Sequence, residues 1–222
     1  MGIKERFDAA AAEYDAQRRK LLPVFDEFYT LPLSLLVCKK PCPKVLDIGA
    51  GTGLFSDFLT QRYENAHVTL IDLSDQMLAV AKKRFSGREG FSYITADYTA
   101  YPFREKYDMV ISALSIHHLD AKKKAALYQT CYDILEEGGI FINADQILSP
   151  SPGMERLYHD AWMDFVRQSG LSEREIEQAA ERTKYDDPST VEEQLNWLAA
   201  AGFRSIDCIY KKLSFGVLAA VK

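Results

Sequence analysis

Short β-branched segments alternate with longer amphipathic segments through the middle of the chain, and this alternation predicts the fold class. Five segments have the length and residue types of strands: Lys44–Ile48, His67–Asp72, Phe91–Thr95, Tyr107–Ser112 and Gly139–Ala144. Apolar residues three and four positions apart predict helices between them: Phe55–Arg62, Asp75–Phe85 and Ala121–Leu135. Ser74 and Asp120 occupy N-cap positions, and Gly138-Gly139 marks the expected end of the third helix. Such alternation predicts right-handed crossovers and a parallel, doubly wound sheet.

The pattern changes after Leu148. Residues 149–195 open with Ser-Pro-Ser-Pro-Gly and then carry helical periodicity. The last two predicted strands, Ser205–Lys211 and Leu213–Val221, are joined by a turn too short for a crossover helix, so they must be antiparallel neighbours. The chain is therefore predicted to be α/β, with a doubly wound, mainly parallel, seven-stranded Rossmann-like sheet and one antiparallel strand. Its predicted parts are an N-terminal helical cap (1–40), a core (41–148), a helical insertion or lid (149–195) and the closing strands of the same core domain (196–222).

Composition and charge narrow the function classes. Hydrophobic residues form 47% and charged residues 27% of the chain, which is enough apolar material for a packed core. No apolar stretch of about 18 residues and no secretory leader are visible, which predicts a cytoplasmic protein without a membrane partner. The net charge of −5, with eleven acidic and five basic side chains between Ser151 and Leu195, disfavours a nucleic-acid partner. The four cysteines are predicted to be reduced thiols: Cys38, Cys42, Cys131 and Cys208.

The segment VLDIGAGTG at 45–53 carries the strongest chemical signal. Its three alternating glycines follow a buried strand and lead directly into a helix: Gly49, Gly51 and Gly53. Glycine allows a sharp turn and the close approach of a ligand, although a tight turn without a ligand is the alternative. The spacing differs from the dinucleotide pattern, whose third glycine would fall at Leu54, and no P-loop lysine follows. Asp47 on the strand end repels pyrophosphate and suits a ligand that carries an ammonium group.

Two further acids end the next two strands. Asp72 can accept hydrogen bonds from both hydroxyls of a ribose, and Asp97 can accept one from an exocyclic amine. Met77 lies five residues after Asp72 and has a polarizable side chain that can lie against a flat base. Taken singly, either acid is also a common N-cap or turn residue. Three acids at three successive strand ends indicate a ligand site, because open α/β sheets bind ligands at the carboxyl ends of their strands.

With these motifs the sequence resembles the class I S-adenosylmethionine-dependent methyltransferases. The resemblance runs from about residue 40 to 222 and rests on five segments: VLDIGAGTG, LIDLSDQML, ITADY, YDMVISALSIHHL and LEEGGIFIN. It implies S-adenosylmethionine as the cofactor and S-adenosylhomocysteine as the product. It places the three glycines beside the methionine part, Asp72 on the ribose, Met77 on adenine and Asp97 on its amine.

The opening segment adds a cap to this resemblance. The pattern F-D-x-x-A-x-x-Y-D from Phe7 to Asp15 is similar to the N-terminal cap of many small-molecule methyltransferases. The similarity implies that Tyr14 and Arg18 close over the cofactor. The remaining implied cofactor contacts lie beside the motif residues: Ala50, Leu73, Tyr98, Ser112 and Leu114.

The acceptor side is predicted from the loops after strands four and five and from the insertion. His117 and His118 follow the fourth strand, Asp145 follows the fifth, and His159 lies in the insertion. Methyl transfer needs positioning and often a base for the acceptor, so His118, Asp145 and His159 are candidate catalytic residues. Two imidazoles and a carboxylate also suit iron or zinc. No spacing such as H-x3-H supports a metal, so none is predicted, and helix capping or hydrogen bonding across the cleft is the alternative.

The tail has a second resemblance. Three segments look like the carboxy-S-adenosylmethionine synthases of tRNA wobble-uridine modification: YHDAWMDFVRQSGLSEREIEQAAERTKYDD, QLNWLAAAGF and YKKLSFGVLAAVK. In that family an arginine of the corresponding helix binds the added carboxylate, and Arg182 falls at the matching place; a surface or interface ion pair is its alternative role. The fourth motif departs from that family, which lacks the His117-His118 pair.

Three function hypotheses follow. The first is an enzyme that transfers a methyl group from S-adenosylmethionine, by in-line displacement, to a small-molecule acceptor. The second is a carboxy-S-adenosylmethionine synthase-like enzyme that modifies the cofactor itself, with Arg182 as the carboxylate clamp and a further catalytic candidate. The third is a non-catalytic cofactor-binding module. The apolar side chains of the insertion make either a lid or the contact of a homodimer: Leu157, Tyr158, Trp162, Phe165 and Val166.

Overall fold

The computed structural model describes residues 14–222. These residues contain eight α-helices: α1 (Tyr14–Leu21), α2 (Phe25–Thr30), α3 (Leu54–Arg62), α4 (Asp75–Arg84), α5 (Ala121–Ile134), α6 (Pro152–Gln168), α7 (Glu173–Thr183) and α8 (Val191–Ala201). They also contain seven strands: β1 (Lys44–Ile48), β2 (His67–Asp72), β3 (Phe91–Thr95), β4 (Tyr107–Ala113), β5 (Leu135–Gln146), β6 (Ser205–Lys212) and β7 (Phe215–Val221). Single 3₁₀ turns cover Pro32–Ser34 and Ile116–His118.

The seven strands form one sheet in the order β3-β2-β1-β4-β5-β7-β6. Strands β1 to β5 are parallel, and β7 is antiparallel to both of its neighbours, β5 and β6. The predicted fold class, with one antiparallel strand in a mainly parallel doubly wound sheet, is therefore confirmed. Because helices cover both faces of the sheet, strand β4 is apolar and buried along nearly its whole length.

The end of α5 differs from the prediction. The helix ends at Ile134, where Leu135 takes an extended conformation and begins β5 by pairing with Tyr107. Gly138 has a φ of +75° but lies inside the irregular first part of β5, where its N–H donates to the carbonyl of Lys222 at 3.2 Å. The prediction that Gly138-Gly139 terminates the helix is wrong, because pairing with the last residue of the chain fixes this segment as strand.

Helix α8 runs across the predicted boundary between the insertion and the closing strands at residue 195. It packs against α5 through a buried polar network. The hydroxyl of Tyr128 donates to Gln194 Oε1 at 2.6 Å, and Asn143 Nδ2 donates to the Tyr128 hydroxyl at 3.3 Å. The network joins α5, α8 and β5, so α8 is part of the layer that covers the sheet.

Two apolar clusters cover the two faces of the sheet. Helices α2, α3 and α4 bury Phe28, Phe55 and Leu78 on one face, and α5 and α8 bury Leu127 and Leu198 on the other. The four cysteines are free thiols. Among residues 14–222, no helix combines the length and apolarity that a bilayer crossing requires. Helices α1, α6 and α7 lie over the loop after β4 and the end of β5, where they line a cavity with them.

Candidate functional site

The turn between β1 and α3 exposes backbone to a ligand. Gly49 and Gly51 have φ values of +63° and +54°, in the left-handed region that favours glycine. A Cβ atom on Gly49 would lie 1.9 Å from Ser115 Oγ, so no side chain fits at this position. A Cβ atom on Gly51 would meet no atom within 4 Å. The backbone at Gly51 therefore borders open space in which a ligand can approach it closely.

Gly53 has a different role, because it packs α3 against the sheet. It is the N-cap residue of α3 and has a φ of +76°. A Cβ atom there would lie 2.7 Å from the ring of Phe85 and 3.1 Å from Leu70 Cδ2. The packing role that the dinucleotide pattern gives to a third glycine thus falls at Gly53 rather than at Leu54.

Asp47 lies beneath the glycine turn, where its residue surface is 1% exposed. It borders a small cavity of about 20 Å³ that Tyr14 and the glycine backbone also line. Its Oδ2 accepts a hydrogen bond from Ser56 Oγ at 2.6 Å. Burial, and secondarily the charge of Asp72, raise the pKa of Asp47 to about 7 against the opposing hydrogen bonds from Ser56. A cationic group bound in the cavity would stabilise the ionised carboxylate.

Asp72 connects the end of β2 to the glycine turn. Its Oδ2 accepts from the N–H of Gly51 at 2.8 Å, and its Oδ1 accepts from the N–H of Ser74 at 2.8 Å. Ser74 in turn caps α4 by accepting from the N–H of Met77 at 3.0 Å, which confirms the predicted N-cap. The acid therefore makes turn contacts at the ligand-binding edge of the sheet, and Met77 is buried just after it.

Asp97 occupies the equivalent place at the end of β3. Its Oδ1 accepts from the backbone N–H and the hydroxyl of Thr99, at 2.8 and 2.7 Å. The turn role that the sequence left open is present, and the residue is exposed at the same edge as Asp72. The hydroxyl of the next residue, Tyr98, lies 3.1 Å from Ser115 Oγ.

Helix α1 contacts the glycine turn and α4 through a hydrogen bond and an ion pair. Asp15 Oδ1 accepts from Thr52 Oγ1 at 2.6 Å, and Asp15 forms an ion pair with Arg84. The guanidinium of Arg18 lies 4.2 Å from the centre of the Tyr14 ring, in cation–π contact. These contacts hold the end of the predicted cap beside the cofactor side of the sheet; residues 7–13 of the cap pattern lie outside the described residues.

A larger cavity of about 340 Å³ shares Tyr14 with the smaller one. Its walls come from α1, the loop after β4, the end of β5, helices α6 and α7, and the turn before β7. Trp162 Nε1 donates to the carbonyl of Leu21 at 2.8 Å and so ties α6 to α1 across this space. A volume of this size is typical of small-molecule sites.

Two arginines give the larger cavity cationic character. Arg18 and Arg182 both line it, and burial lowers the pKa of each. Within residues 14–222, neither guanidinium lies within ion-pair distance of a carboxylate. Arg182 Nη2 donates to Gln17 Oε1 at 3.4 Å. Across the described residues, Arg182 thus forms no surface ion pair, which is one part of its alternative role.

His117 is held in the cavity wall by Asp145. Its Nδ1 lies 2.5 Å from Asp145 Oδ1, and its backbone N–H donates to Asp145 Oδ2 at 2.9 Å. The side chains of both residues are 3% exposed. Burial opposes protonation of His117, but the carboxylates of Asp145 and Asp186 outweigh it and raise the pKa of His117 to about 9.

Asp186, which follows α7, approaches both histidines. Its Oδ1 lies 3.1 Å from His118 Nδ1 and 3.6 Å from His117 Nε2, and its Oδ2 accepts from Gln146 Nε2 at 3.1 Å. Burial would raise the pKa of Asp186, but its close contacts with the two histidines and their charges outweigh it and lower that pKa. Burial and the charge of His117 lower the pKa of His118. Four polar side chains from three separate segments therefore meet at one wall of the larger cavity.

The predicted acceptor-side residues divide into two groups. His118, His159 and Arg182 line the larger cavity, as does Leu114 from the predicted cofactor residues. Asp145 lies behind His117 instead of facing the cavity. His159 is separate from the His117–Asp186 cluster, because its imidazole is 55% exposed and its ion-pair neighbour is Asp160 at 3.8 Å.

The predicted cofactor residues concentrate around the smaller cavity and the strand ends. Four of them line the small cavity together with Tyr14: Asp47, Gly49, Ala50 and Gly51. Leu73 is 40% exposed after β2. Ser112 is fully buried, and its hydroxyl donates to the carbonyl of Ile48 at 2.8 Å, so it joins β4 to β1. The assignment of these residues to the cofactor stays a prediction.

Sequence reasoning missed Asp186 and Gln146 as cavity residues. Asp186 was counted only within the acidic charge of the insertion. Its position depends on the segment after α7, which folds back onto α5. Lys124 of α5 holds this segment by donating to Ser189 Oγ at 2.8 Å and to the carbonyl of Asp187. A buried lysine in the middle of α5 gives no signal in the sequence that identifies its partner.

A family model described as "Methyltransferase domain" matches residues 45–139, from β1 into β5. The carboxy-S-adenosyl-L-methionine synthase of Nautilia profundicola is 24% identical over 226 residues, covering 99% of this chain and 96% of that protein. The demethylmenaquinone methyltransferase of Clavibacter sepedonicus is 26% identical over 223 residues, covering 98% of this chain and 87% of that protein.

Solved structures share the fold. An O-methyltransferase family 2 protein from Planctomyces limnophilus, in complex with apigenin, superposes with a TM-score of 0.69 at 20% identity. The alignment covers 100% of this chain and 62% of that one, so this chain spans less than two thirds of its length. The glycine turn and the strand-end acids lie inside the segment that the family model matches.

Proposed function

Since this chain belongs to the class I S-adenosylmethionine-dependent methyltransferases, we propose that its larger cavity holds a small-molecule methyl acceptor. The observation that supports this most directly is the 340 Å³ cavity next to the glycine turn, with Tyr14 in the walls of both cavities. A wall shared in this way lets an acceptor in the larger cavity face a cofactor on the glycine turn. The proposed subcellular location is the cytoplasm.

The residues present fit the cofactor. The open space at Gly51 admits a ligand against the backbone, and the buried carboxyl of Asp47 provides a partner for an ammonium group. Asp72 is held at the strand end where a ribose would be bound, and Met77 and Asp97 follow as the base-side candidates. When bound, S-adenosylmethionine supplies an electrophilic methyl group.

The chain's own residues position the acceptor and exclude water. Helices α1, α6 and α7 close over the larger cavity, and the bond from Trp162 to Leu21 holds two of them together. Arg18 and Arg182 favour an acceptor that carries a carboxylate, since a guanidinium matches a carboxylate with two hydrogen bonds. His118 and His159 remain the candidate catalytic imidazoles, and Asp145 orients the neighbouring His117. In-line transfer needs this kind of positioning above all.

A second candidate is a carboxy-S-adenosylmethionine synthase-like reaction. It is favoured by the position of Arg182 in the cavity wall and by the full-length similarity to the Nautilia profundicola protein. In that case Arg182 clamps the carboxylate of a modified cofactor instead of an acceptor.

The deciding experiment is mass spectrometry of the small molecule released when the purified protein is denatured. S-adenosylmethionine or S-adenosylhomocysteine supports methyl transfer, and a carboxylated S-adenosylmethionine supports the second candidate. If nothing is released, calorimetric titration with S-adenosylhomocysteine replaces it, and no binding would contradict both candidates.

A pair of arginine variants then tests the clamp. Arg182→Gln is expected to weaken binding of the carboxylated ligand at least tenfold, on the order of one charge-assisted hydrogen bond. Arg167→Gln is the matched control, because Arg167 lies exposed on α6 and pairs with Asp164 at 3.1 Å. Equal affinities in the two variants would contradict the clamp. The homodimer, for which the insertion's aromatic side chains are the proposed contact, is tested separately by sedimentation.

A further inference from the structure

We propose that His117, His118 and Asp186 form a binding site for one divalent transition-metal ion in the wall of the larger cavity. This inference goes beyond methyl transfer and departs from the expectation from the sequence that no metal is bound. One potential ligand atom from each of the three residues lies within 4.8 Å of the others. Two imidazoles and one carboxylate form a donor set that suits ions such as Fe²⁺, Co²⁺ or Zn²⁺.

The distances from the Asp186 carboxylate to the two imidazoles suit a shared ion. Bonds of about 2.1 Å to one metal place neighbouring ligand atoms roughly 3.0–3.5 Å apart in octahedral or tetrahedral geometry. Asp186 Oδ1 lies 3.1 Å from His118 Nδ1 and 3.6 Å from His117 Nε2. The 3.6 Å separation is too long for a hydrogen bond. His117 Nε2 and the carboxylate therefore face each other across a gap of the size that a metal ion bridges.

The remaining contacts of His117 are those of a metal-binding imidazole. Its Nδ1 faces the buried Asp145 carboxylate at 2.5 Å, and its Nε2 is turned toward the cluster, where it also lies 3.4 Å from Gln146 Nε2. A metal-ligating histidine almost always uses its other ring nitrogen to donate to a carboxylate or carbonyl, and this bond fixes the orientation of the ring. The backbone N–H of His117 also donates to Asp145, so the ring and its main chain are held by the same carboxylate.

The third ligand, Asp186, is also held in position by hydrogen bonds. The N–H of Asp187 donates to the carbonyl of His117 at 2.9 Å, which ties the segment after α7 to the histidine turn. Gln146 Nε2 donates to Asp186 Oδ2 at 3.1 Å and leaves Oδ1 facing the imidazoles. Such supporting contacts set the orientation of the carboxylate before a metal arrives.

The electrostatics of the cluster favour a cation. Asp145 and Asp186 are both buried carboxylates, with 3% and 7% of their side chains exposed. Within residues 14–222, no lysine or arginine lies in ion-pair distance of either one, and their side-chain and backbone partners include the two histidines and Gln146. A divalent ion bound by neutral imidazoles would supply two positive charges where one protonated His117 supplies one. Coordination positions not taken by protein face the cavity and would be open to an acceptor oxygen or to water.

The test uses the full chain without a histidine tag, stripped of metal by a chelator and titrated with Co²⁺. The expected result is one equivalent of Co²⁺, with visible d–d absorption of a nitrogen- and oxygen-coordinated ion. Asp186→Asn and His118→Asn are each expected to lower Co²⁺ affinity at least tenfold. Asp145→Asn is expected to lower it on the order of ten- to a hundredfold, because the variant alters the support of a ligand and not the ligand itself.

His159→Asn is the matched control, since it removes another imidazole from the same cavity without touching the cluster. Its Co²⁺ affinity is expected to stay within twofold of the parent protein. Substoichiometric binding by the parent protein, or equal affinity in Asp186→Asn and the control, would overturn the proposal.

A second measurement uses only the parent protein, so its result does not depend on whether the variants fold. Pulsed electron paramagnetic resonance of the Cu²⁺-loaded parent protein is expected to show two coordinated imidazoles, and none or one would overturn the assignment. Calorimetry with S-adenosylhomocysteine on the same metal-stripped sample separates the two proposals. Cofactor binding without metal binding defeats the metal site alone, and metal binding without cofactor binding defeats the proposed function alone.

Discussion

Replacing Asp47 by Asn tests whether its carboxyl carries a proton in the folded, ligand-free protein. The pKa of this group rises from 3.8 to about 7 on folding because the residue is buried. Between about pH 4 and pH 7, the folded state therefore holds a proton that the unfolded chain has already released. The stability that belongs to the protonated carboxyl is fully present below about pH 4 and is lost as the pH rises through about 7.

The size of the effect follows from the same values. One pKa unit corresponds to 1.36 kcal/mol, so the full loss in unfolding free energy is about 4 kcal/mol, of which about 2 kcal/mol falls between pH 5 and pH 7. Asn does not titrate, so the unfolding free energy of Asp47→Asn does not show this loss as the pH rises. Groups that titrate in both proteins cancel when the two stability curves are subtracted.

The assay is urea unfolding of the parent protein and Asp47→Asn at about pH 5, 6, 7 and 8, at constant ionic strength. The difference between the two unfolding free energies is expected to shift by about 3 kcal/mol in favour of Asn across this range. Ser56→Ala removes a hydrogen bond that lowers the pKa of Asp47, so it should move the transition to higher pH. A difference that does not change with pH would refute the reasoning.

Cofactor binding gives an independent readout of the same carboxyl. If an ammonium group binds the ionised form, binding needs a carboxylate that is about one tenth populated at pH 6 and about nine tenths at pH 8. The affinity for S-adenosylhomocysteine is expected to rise about tenfold over that range in the parent protein and to stay level in Asp47→Asn. Calorimetry in buffers of different ionisation enthalpy measures the proton released on binding.

Three further predictions concern single side chains. Gly51→Ala is expected to fold, at a cost of about 1–2 kcal/mol in stability from its positive φ, and to lose cofactor binding. Gly49→Ala is expected to lose more stability than Gly51→Ala, because its Cβ would collide with a serine. Equal melting temperatures of the two variants would contradict this contrast. Asp72→Ala should weaken S-adenosylhomocysteine binding by roughly 1–3 kcal/mol in calorimetry, and unchanged affinity would remove Asp72 from the site. Tyr128→Phe leaves Gln194 Oε1 without its 2.6 Å donor and should lower unfolding free energy by about 1–3 kcal/mol in urea titrations.

The cofactor side of the site was predictable because strand periodicity fixes where strands end. Asp47, Asp72 and Asp97 lie on or directly after segments of alternating or continuous apolar residues, and parallel strands bring their carboxyl ends to one edge. The bounds of β1, β2 and β3 agree with the prediction because turn residues delimit them locally. Every one of these inferences uses residues close together in sequence.

The acceptor side was predictable only in part, because its geometry depends on contacts between distant segments. His117 and Asp145 are 28 residues apart, and Asp186 is placed by its neighbours' contacts with a histidine turn and with a buried lysine. Gly138 was misread for the same reason, since its partner is the last residue of the chain. Local propensity identifies candidate residues at such places but does not decide which of them meet.

The antiparallel strand β7 has a consequence for the order in which the parts of the site form during folding. The cofactor side draws on residues 14–115, whereas the larger cavity also needs Phe215 at the start of β7, which pairs with Gln146 at the end of β5. Contacts of large sequence separation form late, because the loop between them must close first. During synthesis from the N-terminus, the glycine turn and strand-end acids can come together before β7 emerges. The acceptor cavity is then completed last, by the strand that closes the sheet.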